Sequence, residues 1–145
     1  MRALLQRVSK AQVEVDHKVV GSCGPGLLVF LGVGNQDTPE VAQRLWNKIY
    51  RLRIFADDEG KTNLSLADVG GEALVVSQFT LYADCRRGHR PSFTDAAPAA
   101  QGQAIYEQFC AYAKRDVAHV GQGVFGADMQ VSLVNDGPFT VWLEA

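Results

Sequence analysis

Residues 26–33, GLLVFLGV, carry no polar side chain. A strand with one wet face shows a polar residue at every second position. One that shows none belongs in the middle of a sheet, buried on both faces. The apolar run ends at Gly34, well short of the about 20 residues that a membrane-crossing helix needs. A central strand demands neighbours, and the chain offers several. RALLQRV (2–8) and AQVEV (11–15) read as strands, with Val13 and Val15 alternating against Gln12 and Glu14. VVGSC (19–23) reads as a third after a turn at 16–18, RIF (53–55) as a short strand, and DDEGKTN (57–63) as a turn. After Gly70-Gly71, ALVVSQFTLY (73–82) reads as one long strand. DMQVSLV (128–134) and FTVWLE (139–144) close the chain.

Two helices complete the pattern. Asp37 or Thr38 can cap the first, Pro39 suits its first position, Glu40 suits its positive end, and Val41, Leu45, Ile49 and Leu52 recur at helical spacing. The second runs from about Pro98 to Val117, with Ile105, Phe109, Tyr112 and Val117 on one stripe. Many strands and two segregated helices define an α+β fold. At 145 residues with 47% hydrophobic content, 1–145 makes a single domain with a sizeable core.

Chemistry is sparser. His17, His89 and His119 lie far apart with no metal-ligand spacing, so no metal and no cofactor is expected. Cys23, Cys85 and Cys110 form no CxxC pair, which fits a reducing cytosol, and Cys85 reads as a buried, inert thiol. The opening MRALLQRVSK breaks its apolar run at Gln6 and Arg7, unlike a signal peptide. The expected location is the cytoplasm, off the membrane. Fourteen Lys+Arg against 16 Asp+Glu leave a net charge of −2, so nucleic acid can be drawn only by a local patch. CRRGHR (85–90) is such a patch: Arg86, Arg87 and Arg90 are phosphate-contact candidates or a solvated loop. Ser77 and Thr80 sit in SQFT without a nucleophile elbow or a nearby histidine. Strand alternation would point Phe79 toward the core.

VNDGPFT (134–140) carries the remaining question. Asp-Gly between two strand-like runs favours a hairpin turn. Pro138 follows at once, and any X-Pro bond has about a 5–6% chance of being cis in a folded protein.

Taken together, SQFTL (77–81) and NDGPFT (135–140) resemble the two signature motifs of the D-aminoacyl-tRNA deacylase family. LRIFADDEGKTNLSL (52–66), RRGHRPSF (86–93), MQVSLVNDGP (129–138) and GLLVFLGV extend the resemblance over essentially the whole chain. Thr62 and Cys85 depart from it, outside both signatures. The resemblance implies a barrel-like, mainly antiparallel or mixed sheet with two main helices. It implies a tRNA-editing hydrolase that cleaves the ester at the 3′ end of D-aminoacyl-tRNA. It also implies a homodimer in which each Gly-Pro loop enters the partner's pocket, with that bond cis. Gly137 and Pro138 then reject L substrates by backbone, with Arg7 bracing the loop. Ser77, Gln78, Phe79 and Thr80 form the floor that receives the adenosine and the scissile carbonyl. Glycyl-tRNA, which has no side chain to exclude, is an expected second substrate. The ribose 2′-hydroxyl assists catalysis. The alternatives are a hydrolase with Thr80 as covalent nucleophile and a non-catalytic dimeric RNA-binding module.

Overall fold

A computed structural model describes residues 1–145. Its strands are β1 (Arg2–Val15), β2 (Lys18–Cys23), β3 (Gly26–Gly32), the short β4 (Phe55–Ala56) and β5 (Thr62–Leu64), β6 (Glu72–Ser77), β7 (Val120–Gln122) and β8 (Gln130–Glu144). The helices are α1 (Pro39–Tyr50), the single turn α2 (Leu66–Val69) and α3 (Ala99–Asp116). The main sheet runs β2-β1-β3-β6-β7, and β8 pairs with the other edge of β1. β3 and β6 pair in parallel, as do β6 and β7; every pairing made by β1 is antiparallel.

β3 is central, and its all-apolar sequence has a simple cause. Leu27, Val29 and Leu31 join a core of 21 buried residues beneath α1 and α3. Leu28 faces the other way, into a second core with Val8, Val13, Leu74 and Val76. β6 does the same, sending Ala73 and Val75 to the first core and Leu74 and Val76 to the second. The second core is closed over by β2 and β8. The two ends of the sheet path meet where β2 approaches β7: a Cβ on Gly21 would collide with the Gln122 backbone, and one on Gly121 with Ser22. Glycine permits this contact of main chain with main chain, and the result is one barrel-like domain with α1 and α3 as its two main helices.

Two expectations need correction. The two strands at 2–8 and 11–15 are one 14-residue strand, because β1 passes from pairing with β3 to pairing with β2 while β8 spans nearly its whole length. The turn expected at 16–18 is a tight hairpin at Asp16 and His17, with φ of 50° and 62°, the mirror-image turn that fits strand twist. At VNDGPFT there is no hairpin. Its flanks continue one strand in one direction, and both pair with β1.

α1 begins as its sequence suggests. Thr38 is the N-cap and accepts from the Val41 N–H, with Pro39 at the first turn. Asp37 is not the cap: its carboxylate accepts from the Gly34 N–H at 2.6 Å and the Tyr82 hydroxyl at 3.3 Å, tying down the end of β3. Trp46 of α1 meets Phe109 of α3 edge to face, with ring centroids 5.6 Å apart. Phe109 is fully buried. Phe109→Ala should therefore cost about 3–5 kcal/mol, seen as a lower denaturant midpoint. A loss below about 1 kcal/mol would contradict this packing.

Candidate active site

The parallel pair β3–β6 ends in step. The Gln78 N–H donates to the Leu31 carbonyl at 2.8 Å, and β3 stops at Gly32. No strand remains to pair with, so the chain turns to local bonds: Leu81 N–H to the Gln78 carbonyl and Ala83 N–H to the Thr80 carbonyl. Residues Phe79–Tyr82 form a 3₁₀ turn, not the second half of a long strand. Strand alternation therefore fails at Phe79, which is 58% exposed rather than buried, with its ring edge-on to Phe93 at 5.1 Å.

Ser77, Gln78 and Phe79 thus sit at the carboxyl end of a parallel strand, where open sheets place ligands. They form a wall shared by two cavities. One, of about 320 Å³, lies on the helix side and is lined mostly by apolar groups, among them Val33, Gly102, Tyr106 and Phe125. Gly102 faces the Phe125 ring across it. Tyr106 is held at its rim by donating to the Val75 carbonyl at 2.9 Å. The other, of about 250 Å³, lies on the barrel side against Val76, Ala127, Met129 and Val131. Sequence reasoning did not find Gly102, Tyr106, Phe125 or Met129. Gly102, Tyr106 and Phe125 belong to no motif that reads locally as a site, Met129 lies only at the edge of one, and each enters through long-range packing.

Thr80 is exposed, and its hydroxyl oxygen accepts from the Gln78 side-chain amide. No histidine lines either cavity. No group of three or more His, Cys, Asp or Glu side chains converges as metal ligands do.

Arg7, Gly137 and Pro138 line neither cavity. They form a second assembly on the strand pair β1–β8. Gln6 pairs with Thr140 and Val8 with Asn135, so the four residues Asp136 to Phe139 stand opposite the single residue Arg7. The segment is a bulge. Arg7 braces it: its guanidinium donates to the Asp136 carbonyl at 2.9 Å and the Ile54 carbonyl at 2.6 Å, and lies 4.8 Å over the Phe139 ring. Gly137 and Pro138 are exposed, the peptide between them is cis, and Gly137 has φ +147°.

The basic loop forms a third group. Arg86 is engaged, its guanidinium donating to both oxygens of Asp84 at 2.8 Å and holding that carboxyl well below the usual carboxylate range. Arg87 and Arg90 are exposed beside it with Ser92. Cys85 is exposed too, contrary to the buried thiol expected. The buried thiols are Cys23, pushed up to about 11 chiefly by burial, and Cys110.

Residues 4–144 match the family model described as D-Tyr-tRNA(Tyr) deacylase. The chain belongs to that family. It is 59% identical over 145 residues to the D-aminoacyl-tRNA deacylase of Roseiflexus castenholzii, covering all of this chain and 92% of that protein. It is 55% identical to the D-aminoacyl-tRNA deacylase of Thermotoga petrophila, covering all of this chain and 97% of that one. Among solved structures, a c-Myc DNA Unwinding Element Binding Protein superposes with a TM-score of 0.95 at 37% identity, covering 100% of this chain and 99% of the other. A probable eukaryotic D-amino acid tRNA deacylase shares the fold with a TM-score of 0.84 at 20% identity, covering 98% and 97%. Membership of this deacylase family makes the chain a hydrolase.

Proposed function

We propose that this deacylase edits D-aminoacyl-tRNA, and that its Gly137-Pro138 segment rejects the L form from within the site of a second copy. The carrying observation is the separation of the two signature motifs. Ser77, Gln78 and Phe79 line cavities, whereas Gly137 and Pro138 stand exposed on a braced bulge that lines neither. A homodimer in which each bulge enters the partner's pocket makes one site of both. Exposed Val134 and Trp142 on the outer face of β8 supply apolar surface for that contact.

The terminal adenosine of the tRNA fits the helix-side cavity, whose Phe125, Tyr106 and Phe79 suit the flat face of a base. The ester then lies at Phe79 and Thr80. These residues open the 3₁₀ turn, where the first N–H groups lack partners within the turn and can face a developing oxyanion. Arg87 and Arg90 lie on the phosphate path, and Arg86 acts from its pair with Asp84. A cytoplasmic location follows from the substrate.

In hydrolysis, water adds to the ester carbonyl, the bond to the ribose 3′-oxygen breaks, and that oxygen leaves with a proton. A covalent route through Thr80 needs a base beside the hydroxyl, and its partner here is an amide. The ribose 2′-hydroxyl is the better proton relay, with the protein positioning and stabilising.

Backbone carbonyls of the Gly137-Pro138 segment accept from the substrate's ammonium. Inversion at Cα then drives an L side chain into main chain, which cannot rotate away as a side chain can. Gly137 itself tolerates no added group: a Cβ would lie 2.8 Å from the Phe139 nitrogen and 3.2 Å from the Arg7 guanidinium.

Purified protein should hydrolyse the D-aminoacyl-tRNA of one amino acid and spare the L form; equal hydrolysis of both, or of neither, would refute the reading. Glycyl-tRNA should also be cleaved, and its complete inertness at enzyme levels that clear D substrates would sink side-chain exclusion.

For the chemistry, Thr80→Ala should keep activity within about tenfold of wild type, since losing one oxyanion donor outright costs about 10²–10³. A terminal 2′-deoxyadenosine should abolish turnover. Near-total loss in Thr80→Ala, with unchanged turnover of the deoxy substrate, would establish the covalent route instead.

A further inference from the structure

The bulge opposite Arg7 removes four residues of β8 from the ladder with β1. Phe139, at its far end, returns to the strand without a register partner on β1. Asn135, at its near end, meets its N–H and its carbonyl. Its Oδ1 accepts from the Phe139 N–H at 2.6 Å. Its Nδ2 donates to the Thr140 hydroxyl at 3.0 Å and reaches the Phe139 carbonyl at 3.5 Å. The Thr140 oxygen also accepts from Gln6 Nε2 at 3.4 Å, which returns the link to β1. A carboxamide offers one donor group and one acceptor in a fixed plane, as a peptide edge does. Asn135 therefore stands in for the missing strand partner.

From this geometry we infer that Asn135 is a positioning residue for chiral selection. Its side chain closes the bulge across residues 135–139, while Arg7 anchors the Asp136 carbonyl, and between the two Gly137 and Pro138 are fixed. The inference rests on the reading of Gly137-Pro138 as the chirality filter. It adds a residue that touches no substrate and lines neither cavity, yet determines where the filter stands.

No other side chain of similar size does the same work. Asn135→Asp keeps an acceptor for the Phe139 N–H but sets a carboxylate oxygen against the Phe139 carbonyl. Asn135→Ala removes every bond.

The test measures kcat/KM for D- and L-aminoacyl-tRNA of one amino acid, in wild type, Asn135→Ala, Asn135→Asp and Gly137→Ala. The ratio of the two rates is independent of the fraction of folded enzyme, so a purely structural role leaves it unmoved. Asn135→Ala should lower the D-to-L ratio by about 10–100-fold, the range a misplacement near 1 Å produces. Asn135→Asp should fall between it and wild type. Amide exchange at Phe139 should be faster in Asn135→Ala. A ratio within about twofold of wild type in Asn135→Ala, or a proportional loss of both rates, would overturn the inference. If Gly137→Ala lowers the ratio in that case, the filter reading survives and only the role of Asn135 fails. If Gly137→Ala also leaves the ratio unchanged, the filter reading fails and this inference with it.

Discussion

The parallel pairing of β3 with β6 is the constraint on which the rest of the molecule depends. Both strands are buried on both faces, so the sheet needs a cover on each side. The helices α1 and α3 supply one cover. The curling of β1, β2 and β8 supplies the other. Where the pair ends, at Leu31 and Ser77, no further strand is available. The chain must leave the sheet, and a cavity remains on each face of the wall it forms. The site is a consequence of how the sheet stops.

The second element of the proposed site has a different origin. β1 and β8 are the longest paired strands, and their register shifts at two neighbouring places, more widely at Arg7. The four residues of β8 that stand opposite Arg7 carry Gly137 and Pro138 outward, and Arg7 fills the space opposite them. A bulge inside a long ladder is held at both ends, so its tip is exposed without being loose. The proposed chiral wedge needs that combination: main chain on the surface, in a fixed position.

Much of this was legible in the residues. GLLVFLGV announced a central strand, and Thr38-Pro39 announced the start of α1. Other features were hidden for definite reasons. The alternation of VVSQFTL continues past Gln78 in the sequence, but the ladder does not, because β3 ends at Gly32; Phe79 is exposed as a result. Asp136-Gly137 carries a true local hairpin signal. Long-range pairing of both flanks with β1 overrides it, and no local pattern reports that pairing. The cavity walls at Gly102, Tyr106 and Phe125 come from α3 and the segment after β7, which meet the SQFT turn only in the folded chain. The two signature motifs and the bracing Arg7 were the legible part of the proposed site, and the cavity walls around them were not.

The central claim is that a backbone segment of one copy reads the substrate held by another. A structure of the protein with a non-hydrolysable D-aminoacyl-adenosine, the ester replaced by an amide, tests it most directly. The account predicts the adenine against Phe125 and the substrate ammonium within hydrogen-bond distance of main-chain carbonyls of the 137–138 segment of a second copy. An ammonium held by side chains of the same chain, with Gly137 and Pro138 remote from the ligand, would contradict it.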